Sequence, residues 1–169
     1  FGLDNRSNGD LSKGRSDVIM LANINNDTKE VKLVSVYRDS YLDVGSGSFQ
    51  KCNAAYAFGG PEQAISMLNV NLDLDIQNYV TVDFNAIVEC VDLLGGVEIE
   101  ITDDEAVLMT GYIKEINKLT KNKAEYLTKG GTYNLNGVQA CAYARIRYGG
   151  GDDYRRTERQ RTVLTAMVK

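Results

Sequence analysis

Tyr143-Ala144-Arg145-Ile146-Arg147 is followed closely by Asp153-Tyr154-Arg155-Arg156-Thr157-Glu158-Arg159-Gln160. Six of the nine arginines fall between Arg145 and Arg161, in a chain whose net charge is −4. A guanidinium offers a planar fork of donors that matches phosphate oxygens two at a time, and it stays charged at any working pH. The cluster points to a phosphate or pyrophosphate ligand; a solvated basic helix face is the plainer alternative. Three shorter groups share the same composition, arginine beside carboxylate: Asp4-Asn5-Arg6, Arg15-Ser16-Asp17 and Arg38-Asp39. Singly, such pairs are ordinary surface ion pairs. Gathered at one place, their carboxylates could hold a Mg2+ ion while the arginines held the phosphates it bridges.

Other chemistries are excluded by what is missing. The chain has no histidine, which removes Ser-His-Asp and Cys-His nucleophilic sites, histidine zinc sites and imidazole acid–base work. Its acidic balance argues against nucleic acid as a partner, because the basic residues are local and not spread over the surface. Cys52, Cys90 and Cys141 show no CxxC spacing. Cys90 and Cys141 sit among apolar residues and are expected in the core, and a bridge between two of the three is left open.

The elements that must position these residues alternate between strand and helix patterns. With 169 residues a single α/β domain is expected, with a mixed sheet because one pair of strands reads as a hairpin. Asp4 ends a strand-like stub, Asp17 opens an apolar run to Ile24, and Arg38-Asp39 follows a β-branched run from Val31 to Tyr37. If these strands are neighbours, their chemistry-bearing residues meet at one end of a sheet. Gly45 to Ser48 reads as a flexible tip. Gly59-Gly60-Pro61 announces a helix with Ala64, Ile65, Leu68 and Leu72 on one side. Tyr79 to Phe84 alternates like a strand. Asn85 is placed to cap a helix carrying Ile87, Val88, Val91 and Leu94, which stops at Gly95-Gly96. Val97 to Ile101 alternates again, and residues 104–127 read as helical or mixed. Asn136 caps a helix to Arg145, glycines 149 to 151 form a loop, and a closing helix from Arg155 to Lys169 puts Arg156, Arg159 and Gln160 on one face. Arg145 and Arg147 share a side only where the chain has become extended.

The order of motifs resembles the LytR-CpsA-Psr family. The resemblance runs through Gly2-Leu3-Asp4-x-Arg6, Arg15-Ser16-Asp17-x-x-Met20-Leu21 and Ser35-Val36-Tyr37-Arg38-Asp39-Ser40. It continues in Lys51-x-Asn53-Ala54-Ala55-Tyr56-x-x-Gly59-Gly60-Pro61, Tyr79-Val80-x-Val82-Asp83-Phe84 and Val91-Asp92-x-Leu94-Gly95-Gly96-Val97. Leu135-Asn136-Gly137-x-Gln139-Ala140, Tyr143-Ala144-Arg145-x-Arg147 and Arg156-x-x-Arg159-Gln160 complete it. Two departures stand out: Arg155 occupies a position where the family usually has glycine, and Cys52 and Cys141 replace larger aliphatics.

The resemblance implies a three-layer α/β/α domain with a central mixed sheet and a hydrophobic pocket for a polyprenyl tail. It implies a phosphotransferase that moves an anionic glycopolymer, of teichoic acid or capsule type, from undecaprenyl pyrophosphate to the muramic acid 6-hydroxyl of peptidoglycan. A polyprenyl-phosphate binding or regulatory domain and a polyprenyl-pyrophosphate hydrolase are the alternatives. The expected location is the extracellular face of the cytoplasmic membrane, with a single N-terminal anchor in the full-length protein. By position, Asp4 and Asp17 would coordinate Mg2+. Arg15, Arg38, Arg145 and Arg147 would grip the pyrophosphate, Arg156, Arg159 and Gln160 would line or brace the same site, and Arg6 would be a weaker member. Asp39 and Asp153 would orient an arginine or take the attacking hydroxyl's proton. Ile87, Val91, Leu94, Val107 and Leu108 are candidate walls for the lipid tail, and would equally well form ordinary core.

Overall fold

The structure, a computed structural model, describes residues 1–4, 10–12, 14–147 and 152–168. Strands come first and helices and strands are then interleaved, and the fold is of the α/β class. The residues fall into two compact units, Phe1–Asp83 and Phe84–Lys169, each with its own core.

In the first unit, β1 (Gly2–Leu3), β2 (Ser16–Ile24) and β3 (Val31–Val36) form an antiparallel sheet in that order. The expected hairpin is present, with Ile24 opposite Val31 and Ile19 opposite Val36. The Asn25 side chain closes its turn by accepting from the N–H groups of Asp27 and Thr28. β1 pairs with β2 through an irregular register, Gly2 opposite Val18 but Leu3 opposite Ser16. Asp17 is thus the residue the ladder skips, a bulge of the kind that re-aims a side chain. Tyr79 to Phe84 is not the strand its alternation suggests. Because β1 is only two residues long, pairing there reduces to one parallel bridge, Gly2 with Val82, which makes the strand pairing of this unit mixed.

A second hairpin, β4 (Tyr41–Asp43) and β5 (Phe49–Lys51), brackets the Gly45–Ser48 tip. The tip is tied down: the Asp43 carboxylate accepts from the N–H groups of Gly45 and Gly47. Helix α1 (Ala54–Leu72) begins before the expected Gly-Gly-Pro start and is kinked at Gly59 and Gly60. Ala54 to Phe58 already favour helix, while Gly60 adopts φ +67°, a left-handed conformation that suits glycine, immediately before Pro61. Ile19, Cys52, Tyr56, Met67 and Leu68 fill the core of this unit.

In the second unit, α2 (Phe84–Leu93) starts one residue before the expected cap, Asn85. β6 (Val97–Ile101) pairs antiparallel with β7 (Gly131–Leu135), and the glutamates of β6 point to solvent as its alternation predicts. The uncertain stretch after it resolves into α3 (Asp103–Thr120), whose start is a capping box: Thr102 accepts from the Glu105 N–H and Glu105 accepts from the Thr102 N–H. α4 (Gly137–Arg145) has the same device in Asn136 and Gln139. α5 (Asp152–Met167) begins three residues earlier than expected, and the expected loop at glycines 149 to 151 lies outside the described residues.

The core here gathers Val91, Ile99, Met109, Ile113, Leu135 and Ile146. Cys141 is buried, but Cys90 is exposed, and all three cysteines are free thiols. Cys90 lies two residues from buried Val88, which on a helix is the opposite side. Val91 is core and Ile87 and Leu108 pack against it, whereas Leu94 and Val107 are exposed.

Gly137 fixes how closely α4 approaches α2. A Cβ there would collide with the Val88 carbonyl, while the Gly137 N–H donates to Asp92 Oδ1 at 2.7 Å. Gly137→Ala is expected to destabilise the protein by about 1–3 kcal/mol through overpacking, read as a lower urea midpoint; an unchanged midpoint would show that the helices yield at no cost.

Candidate functional site

The arginines are the costly part of this structure to fold. A guanidinium withdrawn from water must be paired and hydrogen-bonded or it destabilises the fold, and Arg38, Arg145, Arg156 and Arg159 each sit against a carboxylate.

In the first unit the bulge at Asp17 brings its carboxylate to Arg38, whose Nη1 donates to Oδ1 at 2.8 Å. Arg38 retains about 20% of its side-chain exposure, so the pair sits at the rim and not in the core. Asp39 Oδ2 lies 3.6 Å from Arg38 Nε, beyond hydrogen-bond reach, and its Oδ1 meets Lys51 Nζ at 2.7 Å. Lys51 is a residue the site assignment missed, although the Lys51-x-Asn53 motif marked the segment. Asp4 follows β1 and Arg15 precedes β2, flanking the Leu3–Ser16 pair at the same end of the ladder; both are exposed. Arg6 lies outside the described residues.

The turn carrying Arg38 is clamped from below. Cys52 Sγ contacts the Tyr37 and Arg38 carbonyls at 3.1 and 3.3 Å. The Cys52 N–H donates to Ser40 O, and the Asn53 N–H to Arg38 O. Cys52 therefore contributes a donor as well as bulk. Burial pushes its thiol up to about 11.

The arginines of the second unit divide by exposure. Arg145 ends α4 and donates from Nη1 to Glu115 Oε2 at 3.1 Å. Its guanidinium lies 4.5 Å from the Phe84 ring centroid and 5.4 Å from that of Tyr112, a cation–π setting that fixes its plane. Ile146 then leaves the helix, at φ −54° and ψ 127°, which supplies the extension that the Arg145/Arg147 spacing requires; Arg147 is exposed. Arg159 is about 11% exposed and donates to Glu105 Oε1 at 2.8 Å and to the Ile146 carbonyl at 3.4 Å. It thus ties the start of α3 and the end of α4 to α5. Arg156 is buried, with Nη2 2.6 Å from Asp153 Oδ1 one helical turn away. Gln160 is half-buried on the same helix and Arg155 is exposed.

Glu105 and Glu115, which hold Arg159 and Arg145, escaped the sequence reading because they lie 54 and 30 residues away from their partners. A groove of about 430 Å3 in the first unit, lined by Glu62, Ile65, Val70, Gln77 and Tyr79 among others, contains none of the expected site residues. Among the described residues no cluster of three metal-ligating side chains exists. Mg2+ does not need one: it is commonly held by one or two carboxylates together with waters and substrate phosphates. Asp17, with one oxygen on Arg38, and exposed Asp4 fit that modest role.

A model of the LytR_cpsA_psr family matches residues 1–169. The chain is 35% identical over 171 residues to the polyisoprenyl-teichoic acid–peptidoglycan teichoic acid transferase TagU of Enterococcus faecalis, covering 100% of this chain and 51% of that protein. It is 32% identical to Biofilm regulatory protein A of Streptococcus mutans, covering 42% of it. Two solved structures of TagT, a protein of Bacillus subtilis, are similar. One is bound to LI-WTA, with TM-score 0.77 and 32% identity over 99% of this chain and 60% of that one. The other holds octaprenyl pyrophosphate, with TM-score 0.74 and 30% identity over the same shares. The chain spans about half the length of the curated relatives it matches.

The clamp beneath Arg38 yields a chemical test. A thiol whose folded value lies above its unfolded one keeps its proton on folding, so its stabilising contribution is complete below the ordinary thiol range and fades as pH rises through about 11. With iodoacetamide at pH 8, mass spectrometry should find Cys90 alkylated and Cys52 unmodified until denaturant is added; early modification of Cys52 would show that the clamp opens.

Proposed function

Because the chain belongs to the LytR-CpsA-Psr family, we propose that it is the catalytic domain of a phosphotransferase that moves an anionic glycopolymer from a polyprenyl pyrophosphate carrier to peptidoglycan. The observation that carries this reading is the corner at the β1–β2 bulge, where Asp17 holds Arg38 at 2.8 Å beside Asp39 and at the ladder end that carries Asp4 and Arg15. The carrier is undecaprenyl pyrophosphate, the acceptor is the muramic acid 6-hydroxyl, and the polymer is of teichoic acid or capsule type. The names of the relatives, teichoic acid transferases, support the class. We place the domain on the extracellular face of the cytoplasmic membrane; no helix among the described residues is long and apolar enough to cross it.

The reaction forms one phosphorus–oxygen bond and breaks another. The acceptor hydroxyl attacks the phosphorus on the polymer side, the bridging bond of the pyrophosphate breaks, and polyprenyl phosphate leaves with the electron pair. Arg15 and Arg38 bind pyrophosphate oxygens, on which negative charge grows; Arg145 and Arg147 are assigned to pyrophosphate by resemblance alone. Arg38 and Arg145 are already oriented by carboxylates, so little reorganisation opposes their action. Arg159 and Arg156, nearly buried on their carboxylates, brace the second unit, with Gln160 beside them. Arg6 is assigned to the ligand by resemblance alone. Asp39, exposed next to Arg38, receives the proton of the hydroxyl, while Asp153 orients Arg156. Asp4 and Asp17 would hold Mg2+, which would neutralise charge on the phosphates. Positioning and electrostatics of this kind supply most phosphoryl-transfer catalysis, so the absence of histidine is no obstacle.

Incubation with a polyprenyl-pyrophosphate-linked polymer, Mg2+ and muramyl glycan tests the proposal. A polymer–glycan conjugate supports transfer, phosphate release without conjugate indicates a hydrolase, and lipid uptake without cleavage indicates a binding or regulatory domain. Arg38→Ala and Arg147→Ala are each expected to lower cleavage by about 10²–10³-fold with an unchanged far-UV spectrum; near-normal rates in both would remove the site. Asp17→Asn should weaken the response to added Mg2+, and an unaltered Mg2+ titration would move the metal elsewhere.

A further inference from the structure

The β4–β5 hairpin carries a surface that the phosphate chemistry does not use. Tyr41 faces Lys51 across the ladder and Asp43 faces Phe49, so these four side chains share one face of the hairpin. On the other face Leu42 packs against the core. Tyr41 and Phe49 are 71% and 53% exposed, yet their ring centroids are 6.0 Å apart with planes inclined by 32°. Two touching aromatic rings left in water contribute little to the fold, and exposed apolar patches of this kind mark binding surfaces.

The surface is also rigid. Asn71 accepts from the Asp43 N–H and donates to the Asp43 carbonyl, Gln63 donates to the Val44 carbonyl, and the Val44 N–H donates to Ser48 O at 2.8 Å. A ligand landing here orders nothing, which favours affinity. The hairpin is joined to the phosphate corner through Lys51, whose ammonium holds Asp39 at 2.7 Å.

We infer that the Tyr41–Phe49 pair is a stacking platform for the uncharged sugar rings of the acceptor glycan strand. Resting on the transfer reading above, it would seat the acceptor on the hairpin whose Lys51 holds Asp39. The C–H faces of pyranose rings are attracted to the negative faces of aromatic rings, leaving hydroxyl and acetamido groups in water. Charge selects the acceptor over the donor's anionic chain: Asp43 shares the face with the rings, and the Lys51 ammonium there is engaged by Asp39. A phosphate-rich polymer would meet net repulsion there, while neutral N-acetylated rings would not.

The test uses the whole chain with Tyr41→Ala/Phe49→Ala, both exposed positions whose loss leaves the core intact, and with Tyr41→Phe/Phe49→Tyr as the conservative pair. Calorimetry with a neutral β-1,4-linked N-acetylglucosamine tetrasaccharide should show binding at least about tenfold weaker in the alanine variant, the scale of losing an aromatic anchor, and near-normal binding in the conservative one. In the transfer assay the acceptor KM should rise while the donor KM and octaprenyl pyrophosphate cleavage hold. Wild-type protein that does not bind the tetrasaccharide, an alanine variant that binds it normally, or a rise confined to the donor KM would each overturn the platform. Poly(glycerol phosphate) binding that depends on the two rings would do the same. If wild-type protein binds the tetrasaccharide through these rings but transfers nothing, the platform stands and the transfer reading fails.

Discussion

Pairing of guanidinium with carboxylate is the constraint on which the rest of this structure depends. Arg38, Arg145, Arg156 and Arg159 are all largely withdrawn from water and each lies against an acidic side chain. Removing one partner from such a pair costs far more than the pair contributes, because the other charge is left buried. The carboxylates therefore do two things. They make it possible to bury these guanidiniums, and they hold the forks in fixed directions before any ligand arrives. The second effect is what an electrostatic catalyst needs, since donors already aimed at developing charge lose no energy turning toward it.

The pairs also sort the arginines by role. Arg159, with two acceptors and little exposure, ties α3 and α4 to α5; its contribution is to the shape of the second unit. Arg145 is more open and is held between a carboxylate and two aromatic rings. Arg38 is at a rim, on a turn whose carbonyls are pinned by Cys52 and Asn53. The same chemical group thus braces a unit where it is nearly buried and stays partly open to solvent at a rim.

Much of this was legible in the sequence, for reasons that differ by element. The β2–β3 hairpin and the alternation of β6 follow from periodicity, and the α4 cap from Asn136. The arginine clusters and the motif order identified the family before any coordinates. The register of β1 against β2 was not legible, because a bulge at Asp17 is a property of two strands and not of either one. The helix before Gly59 was hidden by a Gly-Gly-Pro signal that marks a kink inside α1 and not its beginning. Tyr79 to Phe84 has strand alternation but only a two-residue neighbour to pair with. Glu105 and Glu115 looked like solvated helix residues, since nothing local reveals a partner on another helix. The aromatic pair on β4–β5 was invisible because two three-residue strands give no periodic signal.

The central claim is that a guanidinium already held by a carboxylate, Arg38, receives the diphosphate together with exposed Arg15. Nitrogen-15 NMR of the arginine Nε–Hε groups during titration with octaprenyl pyrophosphate and Mg2+ reads this directly, residue by residue. The account predicts a saturable shift of the Arg38 signal, with that of Arg159 essentially unmoved. Saturable shifts confined to exposed Arg155, with Arg38 silent, would contradict it.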